Sequence, residues 1–449
     1  MSTSPTVKKR SGALLDQSDL TKQQTEAVWR LYEDNCLAML PVGFGKTVVS
    51  QTAAQELLDE GHVLRVLVVA PLRVCQQTWA KEWLQWSHLE EVGMAIGKPS
   101  DRVAAIDSDA RIVVTSYDLL PWLMDHYSDQ FDGLILDELT KLKGGGKQFR
   151  ALRHKIKRFQ WRVGMTGTFA EEGLEVLFYQ VMCVDDGAAL GRRKDAYLNK
   201  YFTSDWNGYN WTPRDGASER IARVLGDLVH KVERVAEHVP RVEVEVRTVP
   251  LSNDARVLYD GLKRDMLLSD EGVTAANMAV LSGKLEQLAN GFYYDDDGAT
   301  HLVGGGKLVQ VCDAVDAPGP LVIAYRFKAQ LALLRRWCPD GLELRDAGAL
   351  EAWDAGELPV LFLHPKSAGH GLNLQKTSCD RLLWLGPDWS RDATDQVAGR
   401  LARRGNTAEV VRVTVLVGEN TVEDKLMLPR LEGKAAGAQE FRDHLAGKG

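Results

Sequence analysis

Three groups of residues in this 449-residue sequence have types and spacings suited to phosphate chemistry. Gly43-Phe44-Gly45-Lys46-Thr47 lies between an apolar run at 36–40 and a helix-prone stretch at 46–59. In that context the glycines let backbone N–H groups curl around phosphate oxygens. The helix start adds its positive dipole end, Lys46 can reach the β and γ phosphates, and the Thr47 hydroxyl can ligate Mg²⁺. The earliest glycine of the usual phosphate loop would fall at Leu40, so this is the shortened GxGKT form. Asp137 and Glu138 end a second apolar run at 132–136. One carboxylate can hold Mg²⁺ and the next can polarise an attacking water. A bare Asp-Glu pair is usually solvated surface; the phosphate loop beside it gives it catalytic weight. Arg400 and Arg403, three apart on a helix expected at 391–403, share one face and can address a γ phosphate together. Alone they would read as a salt-bridged surface helix.

These residues need elements that carry them to one edge. Between Asn35 and Met165, short apolar runs at 36–40, 64–70, 111–115, 132–136 and 161–165 alternate with amphipathic stretches such as 46–59 and 75–86. That alternation is the pattern of βα units and a parallel sheet covered by helices. It resumes from Lys307, with strands expected at 320–325, 359–364, 380–385 and 409–417 and helices at 307–316, 327–337, 391–403 and 420–432. The fold class is therefore α/β with two lobes. Residues 1–18 read as an N-terminal tail, 19–185 as the ATP-binding lobe, 186–300 as a polar, helical and irregular insertion leading into the second lobe, 301–435 as that lobe, and 436–449 as a C-terminal tail. An aromatic cluster at 197–211 reads as an insertion packing its own small core, or as a platform that stacks on bases.

Composition narrows the class. Against 55 Lys and Arg stand 62 Asp and Glu, a net charge of −7, with 45% hydrophobic residues and only 15 Pro. Disordered, collagenous and repeat-fibre proteins are excluded. The acidic balance argues against coating nucleic acid through overall basicity, while leaving room for a local basic groove. The six cysteines form no CxxC pair and have no His at ligand spacing, so neither a zinc site nor a disulfide framework is expected. No stretch of 18 apolar residues and no leader-like apolar run is present. The expectation is a soluble cytoplasmic protein, monomeric and without membrane contact.

The ordered set GFGKT (43–47), DELT (137–140), GMTGT (164–168), SAGHGLNL (367–374) and DQVAGRLARRG (395–405) resembles the superfamily 2 helicases and translocases. Finer stretches look like the Swi/Snf branch: LTKQQ (20–24), APLRVCQQTWAKEWLQW (70–86), VVTSYDLL (113–120), DELTKLKGGGKQFRALR (137–153), SGKLEQLANG (282–291), GPDWS (386–390) and TVEDKL (421–426). The resemblance implies two tandem RecA-like lobes and the cofactors ATP and Mg²⁺. It makes Gln24 the reader of the adenine edge, Gly43, Gly45, Lys46 and Thr47 the phosphate and Mg²⁺ residues, and Asp137 and Glu138 the Mg²⁺ and water carboxylates. Thr166 and Thr168 would couple nucleotide state to movement. Gly371 would lie near the nucleotide, and Gln396, Arg400 and Arg403 would complete the site. Nucleic acid would be met by Arg73, Thr115, Ser116, Arg326, Lys366 and Ser367. Thr140 stands where this family usually has the His or Asp that helps link hydrolysis to nucleic acid. Asn406 and Phe169 also depart from the pattern, at positions that do not touch phosphate.

The reading is of an ATP-dependent DNA translocase, duplex favoured, in replication, recombination or repair of a bacterial or phage-infected cell, with replication or recombination proteins as partners. A strand-separating helicase on DNA or RNA is the alternative within the enzyme class. A nucleotide-switched DNA-binding scaffold without hydrolysis is the alternative outside it. A basic run, Lys141 to Arg158, reads either as a solvated helix face or as a nucleic-acid contact.

Overall fold

The apolar runs form two parallel sheets in the computed structural model, which describes residues 14–41, 43–167, 173–205, 211–232, 239–267, 275–365, 374–389, 391–403 and 405–433. These residues fall into two compact units that divide between Val235 and Ala236.

The sheet of the first unit uses β1 (Cys36–Met39), β2 (Val66–Ala70), β3 (Gly93–Met94), β4 (Ile112–Ser116), β5 (Gly133–Asp137), β6 (Trp161–Thr166) and β9 (Val229–Lys231). Their order is β3-β4-β2-β5-β6-β1-β9, every neighbouring pair parallel. β1, β2, β4 and β5 are buried along their whole length, which is why they read as unbroken apolar runs rather than alternating ones. Successive residues of one strand enter different cores. Leu37, Leu67, Val69, Leu134 and Leu136 pack on one face, while Ala38, Val66, Val68, Ile135 and Val163 pack on the other. Helices therefore cover both faces, as a RecA-like lobe requires.

The second unit repeats the plan with β10 (Arg241–Val249), β13 (Leu321–Ala324), β14 (Leu342–Glu343), β15 (Val360–Leu363), β16 (Arg381–Trp384) and β17 (Val410–Gly418), in the order β10-β17-β16-β13-β15-β14, again all parallel. Val322, Leu361 and Leu382 face one core and Ile323, Phe362 and Leu383 the other. The chain is thus α/β with two tandem RecA-like lobes.

The segment expected as an insertion is shared between them. It gives β9 to the first sheet and β10 to the second, and adds the antiparallel hairpins β7 (Phe202–Ser204) with β8 (Trp211–Pro213) and β11 (Phe292–Tyr294) with β12 (Thr300–Leu302). Tyr197, Tyr201 and Phe202 are buried in the first unit's own core beside Phe178, so these rings are not available to stack on bases. Among the described residues no helix is long and apolar enough to cross a membrane.

A buried polar hub ties the second unit together. The Lys307 ammonium donates to Glu423 Oε2 at 2.7 Å, to Asn290 Oδ1 at 3.0 Å and to the Leu385 carbonyl at 2.8 Å. Glu423 is fully buried and also accepts from Gly418 N at 2.7 Å. Burial pushes the Lys307 ammonium down, and the Glu423 charge acts against that shift. Removing one partner leaves the other charge buried alone, so Lys307→Met is expected to destabilise the second unit by about 3–5 kcal/mol. Adding Glu423→Leu to it should recover much of that stability. Denaturant midpoints of the single and double variants check this; a double variant worse than the single contradicts it.

Candidate functional site

β1 ends at Met39 and the chain turns through Gly43 at φ 83° and Gly45 at φ 88° before the helix Lys46–Asp59 begins. Both angles are left-handed, which only glycine adopts without strain, so the loop's curl depends on these two residues. Gly45 has a second constraint, because a Cβ there would sit 2.6 Å from Gln24 Nε2. Gln24 donates from that nitrogen to the Phe44 carbonyl at 2.8 Å, and its oxygen accepts from Thr21 N at 2.9 Å in a capping box. One N–H and one oxygen lone pair of this amide stay available, the donor and acceptor that an adenine edge matches. The Lys46 ammonium donates to the Leu40 carbonyl at 2.9 Å, which keeps it at the loop, and Thr47 is buried in the first helical turn.

Asp137 is the last residue of β5 and its side chain is buried. Trp79 Nε1 donates to Asp137 Oδ2 at 2.9 Å. Trp79 closes a π-helical turn, Cys75–Trp79, within the helical stretch that follows β2. Such turns insert an extra residue and often mark functional positions. Burial pushes the Asp137 carboxyl up to about 6, against the Trp79 hydrogen bond and the Lys46 charge, which pull it down, while the Glu138 charge raises it. A desolvated carboxylate flanked by a buried threonine hydroxyl and a glycine-rich loop fits a divalent cation bound with a nucleoside triphosphate. Glu138 sits at φ 64°, a left-handed conformation rare for a residue with a side chain. Thr140 Oγ1 donates to Glu138 Oε1 at 2.9 Å, and Tyr117 OH donates to the Asp137 carbonyl at 3.0 Å. Thr140, noted in the sequence only as a departure from the family pattern, therefore positions the second carboxylate. Trp79 and Tyr117 are site residues that the sequence does not single out; their one signal is that both lie within stretches that look like the Swi/Snf branch.

Thr166 ends β6, and its carbonyl accepts from Leu40 N at 3.1 Å. Because β1, β6 and β5 are adjacent and end in register, Met39 opposite Thr166 and Met165 opposite Asp137, strand spacing places the loop and the carboxylates within about 10 Å. Gln24, Gly43, Gly45, Lys46, Thr47, Asp137, Glu138 and Thr166 are thus brought to one carboxyl edge.

The nucleic-acid positions are divided. Arg73, in the short helix Leu72–Val74 after β2, and Ser116, at the end of β4, share the same edge further along the sheet. Thr115 is fully buried and its hydroxyl donates to the Ala95 carbonyl at 3.0 Å. In the second unit the Arg326 guanidinium pairs with Glu286 and donates to the Pro387 carbonyl at 3.0 Å, so it braces the segment after β16. The expected helix 391–403 ends earlier, at Leu401. Gly405, at φ 98°, follows four residues on. Arg403 therefore lies beyond the helix, with its Nε donating to the Gly399 carbonyl at 2.9 Å, and does not share a helical face with the buried Arg400. Gln396 lies on the helix, half-buried. Thr168, Lys366, Ser367 and Gly371 lie outside the described residues.

Residues 21–176 match the DEAD/DEAH box helicase family. The chain is 32% identical to protein p41 of Acyrthosiphon pisum secondary endosymbiont phage 1 over 426 residues, covering 88% of this chain and 91% of that protein. Among solved structures it is similar to a Sulfolobus solfataricus SWI2/SNF2 ATPase core in complex with dsDNA, at 17% identity and a TM-score of 0.45, covering 96% and 94% of the two chains. It is also similar to the Sulfolobus solfataricus SWI2/SNF2 ATPase core domain, at 18% identity and a TM-score of 0.42, covering 91% and 87%. With a helicase-type ATPase core over residues 21–176 and a relationship to the phage protein along nearly its full length, the chain belongs to the superfamily 2 helicases and translocases, in a family it shares with p41.

Proposed function

We propose that the protein is a DNA-stimulated ATPase that moves along duplex DNA, a translocase of Swi/Snf type. The observation that carries the nucleotide half of this reading is the carboxyl edge of the first unit. There a glycine-rich loop, Lys46, Thr47, the raised Asp137 carboxyl and the positioned Glu138 converge. ATP with Mg²⁺ supplies the phosphoanhydride and the cationic charge. Lys46 and the loop N–H groups hold the phosphates, Thr47 and Asp137 hold the Mg²⁺, and Glu138 orients the attacking water and accepts its proton. Arg400 and Arg403 are proposed as the guanidiniums that stabilise charge on the transferring group, with Gln396 beside them. Thr166 and Thr168 are proposed to couple nucleotide state to movement.

The preference for duplex DNA rests on the Swi/Snf-like stretches of sequence. The burial of Tyr197, Tyr201 and Phe202 in the first unit's core supports translocation over strand separation, because it takes those three rings of the 197–211 cluster out of reach of a duplex; Trp206 and Tyr209 lie outside the described residues. Arg73 and Ser116 are proposed as phosphate contacts, joined by Lys366 and Ser367. The buried Thr115 and the engaged Arg326 are proposed to brace those contacts rather than to make them. Triplex displacement beside fork melting tests the reading. ATP-dependent release of a third strand from an intact duplex, with little melting of a fork, is the expected outcome. Efficient fork melting without triplex release would make the protein a strand-separating helicase.

A further inference from the structure

Residues 139–160 contain eight Lys and Arg and no Asp or Glu, in a chain whose net charge is −7. The helix Lys147–Arg153 buries Phe149 and Leu152, so Lys147, Arg150 and Arg153, three apart, share its outer face. Lys157 and Arg158 follow on an exposed turn, Ile156–Arg158. Arg153 donates to the Arg192 carbonyl at 3.0 Å, which joins this stripe to a corner holding Arg192, Arg193 and Lys194.

The charge on the stripe is uncompensated. Several other surface arginines of the first unit are matched: Arg111 with Asp59 and Glu90, Arg223 with Glu219, and at the neighbouring corner Arg192 with Asp186 and Arg193 with Asp195. Among the described residues Lys147, Arg150, Lys157 and Arg158 have no carboxylate partner. Lys147, Arg150 and Arg153 on one helix face repel one another, and an anionic surface laid along it would relieve that repulsion.

The far end of the stripe, at Lys157 and Arg158, lies away from the nucleotide edge. Arg162, near the start of β6, donates to the Phe159 carbonyl at 2.9 Å and to the Val184 carbonyl at 2.6 Å, which fixes the turn and its corner at the amino end of that strand. Thr166 and Asp137 lie at the carboxyl ends, a strand's length of about 20 Å away. The helix alone runs about 10 Å, which matches about three phosphates of one strand.

Resting on the DNA-motor reading, we propose that Lys147, Arg150, Lys157 and Arg158 form a second face for duplex phosphate, running along the helix Lys147–Arg153 to the turn at the amino end of β6. It holds DNA without taking part in hydrolysis. The 449-residue protein and a variant carrying Lys147→Gln, Arg150→Gln, Lys157→Gln and Arg158→Gln are titrated with labelled duplex over a salt series. The variant should bind roughly tenfold to a hundredfold more weakly at low salt, and its salt slope should be shallower by about 0.9 for each phosphate no longer neutralised. The duplex concentration for half-maximal ATPase stimulation should rise by the same factor, with turnover at saturating DNA and the DNA-free rate unchanged. Lys147→Arg with Lys157→Arg should keep wild-type affinity. A variant with wild-type slope and affinity overturns the proposal while leaving the motor reading intact. A wild-type protein with no salt-dependent DNA affinity overturns both. Unchanged DNA binding with reduced affinity for polyglutamate assigns the face to an acidic protein instead, and also overturns it.

Discussion

Arg403→Ala is expected to cut DNA-stimulated ATP hydrolysis by roughly 10³ to 10⁵, and Arg400→Ala likewise, because guanidiniums placed at a transferring phosphoryl group contribute about that much in related NTPases. Nucleotide affinity should change by no more than about tenfold, or about 1.4 kcal/mol, since Lys46 and the phosphate loop belong to the first unit and Arg400 and Arg403 to the second. Lys46→Ala, by contrast, should damage nucleotide binding and hydrolysis together. Lys in place of either arginine should not rescue, because a point charge lacks the planar fork. The two arginines differ in one respect. Arg400 is buried, so its substitution also removes packing, and its unfolding midpoint must be read beside its turnover. Arg403 is half-buried beyond the helix end and is the cleaner probe. Near-normal stimulated turnover in both alanine variants would leave them as structural residues of the second unit.

Asp137→Asn should abolish hydrolysis while making the nucleotide-free protein more stable. The carboxyl is raised in the folded chain to about 6 from an ordinary value near 3.8. The folded state therefore holds this proton more tightly than the unfolded chain. Its contribution is fully present below about pH 4 and is lost as pH rises through about 6. At pH 7 the ionised, desolvated carboxylate costs on the order of 3 kcal/mol, from about two pKa units at 1.36 kcal/mol each. Asparagine never ionises, and its oxygen still accepts from Trp79. The variant should thus melt higher than wild type at pH 7, with the gap closing toward pH 4, and Mg²⁺ with nucleotide should raise its melting temperature far less. A variant that melts below wild type at pH 7, or that still hydrolyses ATP, contradicts this account of the site.

Much of this site was legible from the residues alone. β1, β2, β4, β5 and β6 fall within two residues of the apolar runs at 36–40, 64–70, 111–115, 132–136 and 161–165, because a strand buried on both faces cannot alternate. The loop and the carboxylates were legible because their chemistry is local to a few residues. What failed was non-local or edge-bound. β10 reads RVEVEVRTV, a period-two pattern, yet all but its last residue are exposed. As an edge strand inside a polar third of the chain, it has little apolar burial to announce it. β9 is three residues long and depends on pairing with β1 across the sequence. Trp79 and Tyr117 reach Asp137 over 58 and 20 residues, distances no local pattern reports. The helix carrying Arg400 stops two residues short of Arg403, an end that the apolar and basic periodicity does not encode.

Steady-state ATPase rates of the 449-residue protein, with duplex DNA, single-stranded DNA and RNA added separately, decide whether a DNA track drives hydrolysis at this edge. A slow rate alone, strong stimulation by duplex at least equal to that by single strands, and loss of stimulation as salt rises are expected. Equal rates with and without every nucleic acid would contradict this.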